Sequence, residues 1–170
     1  LNMGLVHDSL ADYEKALFHY GKAQQVFVAV FGDTHPLVAD TQNNIANVYT
    51  RQGMFEKSLE MHSAVLETRT RVFGDNSLDV AATYNNQGNV YDSLSRFDDA
   101  LEAYSKSLDI TIKVVGHGHP GVARTHGNIG LVHEQLGNLE EALFHHGKAQ
   151  EVSIAVFGGE HLEVARTYCN

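Results

Sequence analysis

The segment GDTHPLVADTQNNIANVYTRQG, residues 32–53, decides the fold because it returns twice in altered form. The later copies are GDNSLDVAATYNNQGNVYDSLS at 74–95 and GHGHPGVARTHGNIGLVHEQLG at 116–137. The chain opens on LNMGLVH and closes on GGEHLEVARTYCN, which match the second and first parts of this segment. Copies are spaced by 42 residues, as the glycines at 32, 74, 116 and 158 show. A fixed period of this length is typical of an array of helical repeats.

The residue pattern of each repeat predicts a first helix, called helix A, inside the recurring segment. In the copy at 32–53, Pro36 suits the first helical turn and Gly53 is a typical residue after a helix end. Apolar positions at steps of three, four and seven predict one inward side. That side is expected to carry Val38, Ile45, Val48, Tyr49 and Gln52.

A second helix, helix B, is predicted from about Phe55 to Val72, and Gly74 ends it. Its inner side is expected to carry Phe55, Leu59, His62, Leu66 and Phe73. Small residues recur where helices A and B should cross most closely, at positions Ala16, Ser58, Ala100 and Ala142. The neighbouring leucines, expected to fill the space beside them, are Leu17, Leu59, Leu101 and Leu143.

The predicted fold is therefore all-α, an α-solenoid of stacked antiparallel helix pairs, because a single pair cannot bury its own apolar face. We expect a single repeat domain over 1–170. It would contain a partial repeat at 1–31, full repeats at 32–73, 74–115 and 116–157, and a partial repeat at 158–170. Leu1 and Asn170 both fall inside a predicted helix A, so we expect a fragment of a longer array.

This pattern resembles the tetratricopeptide repeat (TPR) in its 42-residue form, typical of kinesin light chains. The residues that carry the resemblance are NNIANVY at 43–49, Gly53, Phe55, Leu59 and the turn GDTHPLVA at 32–39, and the match covers the whole chain. The resemblance implies a right-handed TPR superhelix. It also implies that the A helices line a concave surface on which a protein ligand lies as an extended peptide.

The register of the family identifies a candidate peptide-binding groove on the A helices. Its residues are Asp40, Asn43, Asn44, Asn47, Asn85, Asn86, Asn89, Asp92, Arg124, Asn128 and Leu131. Asparagine suits this role because its amide both donates and accepts hydrogen bonds, so it can pair with any peptide backbone. For Asn44, Asn86 and Asn128, which recur every 42 residues, an equal alternative is that they tie one helix pair to the next.

The same inward columns suggest the chemistry of the ligand. They carry no lysine, and Arg124 and Arg166 stand among Asp40, Asp92 and Glu134. We therefore do not expect a clamp for a terminal carboxylate. The mixed columns favour a neutral or partly basic segment, and acidic ligands near the two arginines are the alternative.

Composition excludes several other classes of partner. The formal net charge is −9 and no dense Lys/Arg run occurs, so nucleic acid is not an expected partner. No apolar run approaches the ~20 residues that span a bilayer, and the N-terminus has no basic region typical of a signal peptide. The single cysteine, Cys169, fits a reducing compartment. We expect a cytoplasmic protein with no membrane partner.

The chain also carries no recognisable catalytic motif, such as a nucleophile elbow or a phosphate-binding glycine loop, so we expect no enzyme and no cofactor. The 11 histidines do not predict a metal site, because several occupy repeat positions that other copies fill with tyrosine. His62 and His146, for example, share a column with Tyr20 and Tyr104.

Three functions remain open. The first is a protein-interaction scaffold that binds an extended peptide. The second is a structural array, in which copies self-associate head to tail through exposed repeat ends. The third is a regulatory repeat region of a larger signalling protein or enzyme.

Overall fold

The computed structural model describes residues 1–158, which fold into eight α-helices with no β-strand among them. The helices are α1 Asn2–Ser9, α2 Tyr13–Phe31, α3 Pro36–Arg51, α4 Phe55–Phe73, α5 Leu78–Ser93, α6 Phe97–Val115, α7 Pro120–Gln135 and α8 Leu139–Phe157. The odd-numbered helices are the A helices and the even-numbered helices are the B helices. The all-α prediction, with two helices to each repeat, is confirmed.

The chain divides into two compact units, which are residues 1–75 and the residues from 76 onward. Unit 1 contains α1 to α4, and unit 2 contains α5 to α8. Within each unit every helix contacts the next one along the chain. Each unit therefore holds two A helices, two B helices and the interface between two successive repeats.

Local sequence sets the helix ends as predicted. Pro36 is the first residue of α3, and the Nδ1 atom of His35 accepts a hydrogen bond from the Leu37 N–H at 3.2 Å. Between helices A and B, Gly53 and Gly137 adopt φ of 74° and 76°. Ser95 adopts 55° at the equivalent position. Positive φ favours glycine, so Ser95 is the less favourable residue for the same turn.

The core of each repeat depends on a ring of helix B that lies on a small residue of helix A. A Cβ atom added to Gly88 would lie 2.5 Å from Cε1 of Tyr104, so only glycine fits beneath this ring. The same arrangement recurs between Gly4 and Tyr20 and between Gly130 and His146. In the remaining repeat, the equivalent residues are Ala46 and His62, and both are fully buried.

The small-residue column of the B helices is confirmed, since Ala16, Ser58, Ala100 and Ala142 are all buried. The neighbouring leucine column is buried only in part. Leu17, Leu59 and Leu101 are half-buried, whereas Leu143 is 73% exposed.

Two predicted inward residues are exposed. Phe73, the last residue of α4, is 43% exposed because it lies at the very end of the buried face. That face runs instead through Ser58, His62, Val65 and Arg69. Gln52 is also exposed because it lies beyond the last residue of α3, in the turn to α4.

Gly88→Ala should lower the free energy of unfolding by roughly 1–3 kcal/mol, because its Cβ would collide with Tyr104. The control is Gly127→Ala, whose Cβ would meet nothing within 4 Å, and this change should stabilise the chain by about 0.4–1 kcal/mol. Urea unfolding measures both. The double variant Gly88→Ala/Tyr104→His imitates the Ala46 and His62 pair and should be more stable than the summed single effects. Strict additivity would contradict this account of the ring contact.

Acid should destabilise unit 1 through His62. Burial, together with the nearby positive charge of Arg69, lowers the pKa of His62 from 6.5 to about 4. The unfolded chain therefore binds the proton more tightly, and stability falls as the pH drops from about 6.5 toward 4. The loss attributable to this histidine between about pH 7 and pH 5 should be about 2 kcal/mol.

The matched variant is His62→Tyr/Ala46→Gly, which introduces the tyrosine and glycine pair found in other repeats. Urea unfolding at both pH values should show a smaller acid loss for this variant than for the parent. Equal losses in the two proteins would mean that His62 is not the responsible group.

Candidate functional site

Helix α3 carries the predicted groove residues of unit 1, and all of them are half-buried. The Asp40 carboxylate accepts a hydrogen bond from Nη2 of Arg69 at 2.7 Å, an ion pair between α3 and α4. The Arg69 side chain is 7% exposed, whereas that of Asp40 is 45% exposed. Asp40 therefore has a structural role in orienting a buried guanidinium, and its outer side faces solvent.

The asparagines of α3 present side chains of the kind that a peptide backbone needs. Asn43, Asn44 and Asn47 are half-buried. Within residues 1–158, Asn44 and Asn47 make no side-chain hydrogen bond, so their amides are open to a ligand. Asn47 is the equivalent of Asn89 in the next repeat.

In unit 2 the equivalent asparagines are joined in a network. Asn85 is only 4% exposed, and its Oδ1 accepts from Thr125 at 3.5 Å and from Asn128 at 3.3 Å. The Asn89 Oδ1 accepts from the Tyr104 hydroxyl at 2.8 Å and from Asn128 Nδ2 at 3.3 Å. Burial raises the pKa of Tyr104, so this hydroxyl remains a donor at neutral pH.

These hydrogen bonds connect helices within unit 2. Asn128 joins α7 to α5, and its part in ligand binding stays a prediction. The Asn85 amide is buried in the same contact, so its placement does not favour direct contact with a ligand. Asn86 is half-buried on α5.

A second type of contact between neighbouring A helices was not predicted from the sequence. Asp8 of α1 forms an ion pair with Arg51 of α3, and Asp92 of α5 accepts from Gln135 Nε2 of α7 at 2.9 Å. In both pairs the residue numbers differ by 43. The signal was present in the sequence, because Asp8 and Asp92 share one repeat position and Arg51 and Gln135 share the next. The predicted groove residue Asp92 is thus engaged with α7.

The remaining predicted residues of unit 2 lie on α7 and are exposed. Leu131 is 39% exposed. Arg124 is also exposed, and it makes no ion pair or side-chain hydrogen bond within residues 1–158. A guanidinium in this state can form a paired contact with a carboxylate. Arg166 and Cys169 lie outside the described residues.

Three histidine rings of unit 2 meet between α7 and α8. The Nδ1 atoms of His126 and His145 are 2.9 Å apart, and His133 stacks on His145 with ring centroids separated by 5.7 Å. Burial lowers the pKa of His126 to about 4 and also lowers the pKa of His145. Both rings are therefore neutral at pH 7, and one can donate its N–H to the other. Across residues 1–158, no group of three or more His, Cys, Asp or Glu side chains is arranged to hold a metal ion.

None of the eight described helices is both long enough and apolar enough to span a membrane.

Comparison with known proteins identifies the family. The sequence profile described as Tetratricopeptide repeat matches residues 1–61, 37–113, 94–153 and 121–170. These matches together cover the chain from its first residue to its last.

Individual relatives agree with this assignment. The chain is 40% identical over 53 residues to the Protein KINESIN LIGHT CHAIN-RELATED 1 of Arabidopsis thaliana, a match that covers 31% of this chain and 9% of that protein. Most of the plant protein therefore has no counterpart here.

Solved structures support the fold. The crystal structure of BtubC (BKLC) from P. vanneervenii superposes with a TM-score of 0.85 at 20% identity, and the match covers 98% of this chain and 66% of that one. Nearly identical TPR-like repeats of a kinesin light chain candidate from Podosopora anserina give a TM-score of 0.77 at 15% identity, over 99% of this chain and 83% of that one. The fold predicted from the repeats is confirmed, and the chain belongs to the tetratricopeptide repeat family.

Proposed function

We propose that this chain is a protein-interaction scaffold whose A helices bind an extended peptide segment. Tetratricopeptide repeats generally serve as protein-interaction scaffolds, and the fold is of a non-enzymatic type. The observation that carries the finer proposal is the pair of half-buried, unbonded amides at Asn44 and Asn47. Such amides are partly ordered by their surroundings and still retain donors and an acceptor for a peptide backbone. The proposal includes a cytoplasmic location.

The described charges favour one ligand chemistry. The acidic residues Asp40 and Asp92 are already engaged with Arg69 and Gln135, whereas Arg124 has no partner within residues 1–158. At Asp40 a basic segment would therefore have to compete with Arg69, whereas Asp92 accepts from a neutral amide and keeps its charge. We infer that unit 1, considered by itself, suits an extended, mostly neutral segment. Arg124 of unit 2, considered by itself, suits a segment that carries an acidic side chain.

Removal of the asparagine side-chain amide should lower the free energy of unfolding more at Asn89 in unit 2 than at Asn47 in unit 1. Asn89→Ala removes the acceptor of the Tyr104 hydroxyl and of Asn128, and should cost about 1–2 kcal/mol of unfolding free energy. Asn47→Ala breaks no hydrogen bond within the described residues and should stay within about 0.5 kcal/mol of the parent. Urea unfolding measures both values. A loss at Asn47 as large as that at Asn89 would assign Asn47 a structural role.

The binding experiment is capture from a displayed peptide library by the 170-residue chain. The parent should enrich one motif, and Asn47→Ala should bind that peptide about tenfold or more weakly, since two backbone hydrogen bonds are lost. For an enriched peptide that binds unit 2 through an acidic side chain, Arg124→Ala should weaken binding by up to about fivefold, because an exposed ion pair contributes only about 0.2–1 kcal/mol. Gln25→Ala, at an exposed position of α2, is the control and should bind like the parent.

Enrichment of the same motif by the Asn47→Ala variant, folded by circular dichroism, would place the ligand elsewhere on the chain. Absence of any enriched motif with the parent would contradict peptide binding of this kind.

A further inference from the structure

Four histidines lie between α7 and α8, inside a single repeat of unit 2. His126 and His133 belong to α7, and His145 and His146 belong to α8. At the equivalent positions, the helices α5 and α6 of the preceding repeat carry Tyr84, Tyr91, Ala103 and Tyr104. The two helix pairs of unit 2 therefore share one architecture, and only the second pair has imidazole rings at these four positions.

His126 and His145 face each other through their nitrogens. The two Nδ1 atoms are 2.9 Å apart, a distance at which one nitrogen donates its N–H and the other accepts. The neutral pair meets this condition when one ring has its proton on Nδ1 and the other has it on Nε2. His133 stacks on the face of His145, with the ring planes 17° apart. The contact between α7 and α8 therefore needs a free lone pair on one of the two facing nitrogens.

Protonation of both rings removes that lone pair. An imidazolium has an N–H at both nitrogens, so two hydrogens would then point into one 2.9 Å gap and two positive charges would face each other. Lys148 of α8, and His117 when it is protonated, act on His126 in the same direction. Within residues 1–158, neither ring of the pair contacts a carboxylate that could offset the added charge.

The nearest acidic side chain of this interface serves a different ring. Glu134 of α7 places its Oε1 atom 3.1 Å from Nε2 of His146. Protonation of His146 would strengthen that contact, because it would become an ion pair. A positive charge on His146 would nevertheless disfavour a second positive charge on the neighbouring His145. Acid therefore weakens this helix interface through His126 and His145.

A related pair of rings in unit 1 has a counter-charge beside it. His7 of α1 and His19 of α2 stack with ring centroids 5.4 Å apart, at the positions that correspond to His133 and His145. The Nδ1 atom of His7 lies 3.5 Å from a carboxylate oxygen of Asp12. A positive charge on His7 would be partly balanced there. The strong response to acid is therefore expected where two imidazole nitrogens face each other, in unit 2.

We propose that the repeat at 116–157 contains a proton-operated switch. In its closed state, α7 and α8 are joined by the N–H shared between His126 and His145. When both rings are protonated, α8 separates from α7 while the helices of the preceding repeat stay packed. The switch involves neither Asn47 nor Arg124, so it does not depend on the proposed peptide site.

The pH range of the switch follows from the burial of the pair. Burial lowers the pKa of His126 from 6.5 to about 4 and also lowers the pKa of His145. The open state, in which the rings are solvated, binds protons more tightly, so its population grows as the pH falls below about 6.5. The two pKa values of His126 alone predict a rise of roughly 20-fold between about pH 7 and pH 5.

The test is amide hydrogen exchange of the 170-residue chain at about pH 7 and pH 5, resolved by NMR. Protection factors remove the effect of pH on the chemical exchange rate itself. Amides of α8 should lose roughly 20-fold or more of their protection in acid, and amides of α6 should lose less. The variant His126→Tyr/His145→Ala introduces the residues of the preceding repeat and should lose no more at α8 than at α6. The control His133→Tyr leaves the facing pair intact and should respond as the parent does.

A second measurement needs no variant. Long-range proton–nitrogen NMR spectra at about pH 7 should show one ring of the pair protonated on Nδ1 and the other on Nε2. Two rings that both have their proton on Nε2 would share no N–H, and this result would overturn the proposal. Equal losses of protection at α6 and α8 in the parent would overturn it as well, since acid would then act on the whole unit. An acid response at α8 that persists in the double variant would assign that response to other groups.

Discussion

The close approach of a ring on helix B to the backbone of helix A sets the geometry of the repeats within residues 1–158 that place glycine beneath the ring. Beneath Tyr104, Tyr20 and His146 the A helix has glycine, and a single added Cβ would come within 2.6 Å of the ring. This contact fixes how deep the ring sits and how near the two helix axes lie. The small B-helix residues Ala16, Ser58, Ala100 and Ala142 permit the same closeness from the other side. Burial of the amphipathic faces drives the helices together, and these small residues determine how closely the axes of helices A and B approach.

Once the helices are held this close, the polar residues of the A helices divide into two groups. One group links neighbouring A helices, as in the contacts of Asn128 with Asn85 and Asn89 and of Asp92 with Gln135. The other group, represented by Asn47 and Arg124, has hydrogen-bonding capacity that the described part of the chain does not use. The contacts of the first group keep the A helices of a unit at a defined spacing.

The fold could be predicted almost entirely from the sequence, because a period of 42 residues places every glycine turn, proline and apolar column several times over. Helix ends at Pro36 and Phe55 and the buried column through Ser58 followed from that repetition. The exposure of Phe73 and Leu143 did not follow from the repetition, because periodicity identifies which side of a helix is apolar and does not show what covers that side.

The candidate site was less predictable for a related reason. Asn47 and Asn89 share a repeat position, so the repeat pattern predicted the same role for both. The residue across from them differs: Tyr104 has a hydroxyl that reaches Asn89, whereas the equivalent His62 is shorter. Whether such an amide is bonded within its own chain thus depends on a partner 15 residues away in the sequence. A comparison of equivalent positions across repeats does not show which two different positions will contact each other.

The exchange of tyrosine for histidine in one column also bears on cooperativity. In an array, stability is approximately a sum of repeat terms and nearest-neighbour terms, and all-or-none unfolding requires those terms to remain similar. A buried imidazole such as that of His62 makes the stability of its repeat vary with pH. A buried phenol in an otherwise similar repeat does not titrate over the same pH range. Burial of His126 and His145 lowers their pKa values and gives the repeat at 116–157 a similar dependence. Acidic conditions would therefore weaken these two repeats relative to the repeat that contains Tyr104, and a nearly uniform array would lose its uniformity only at low pH.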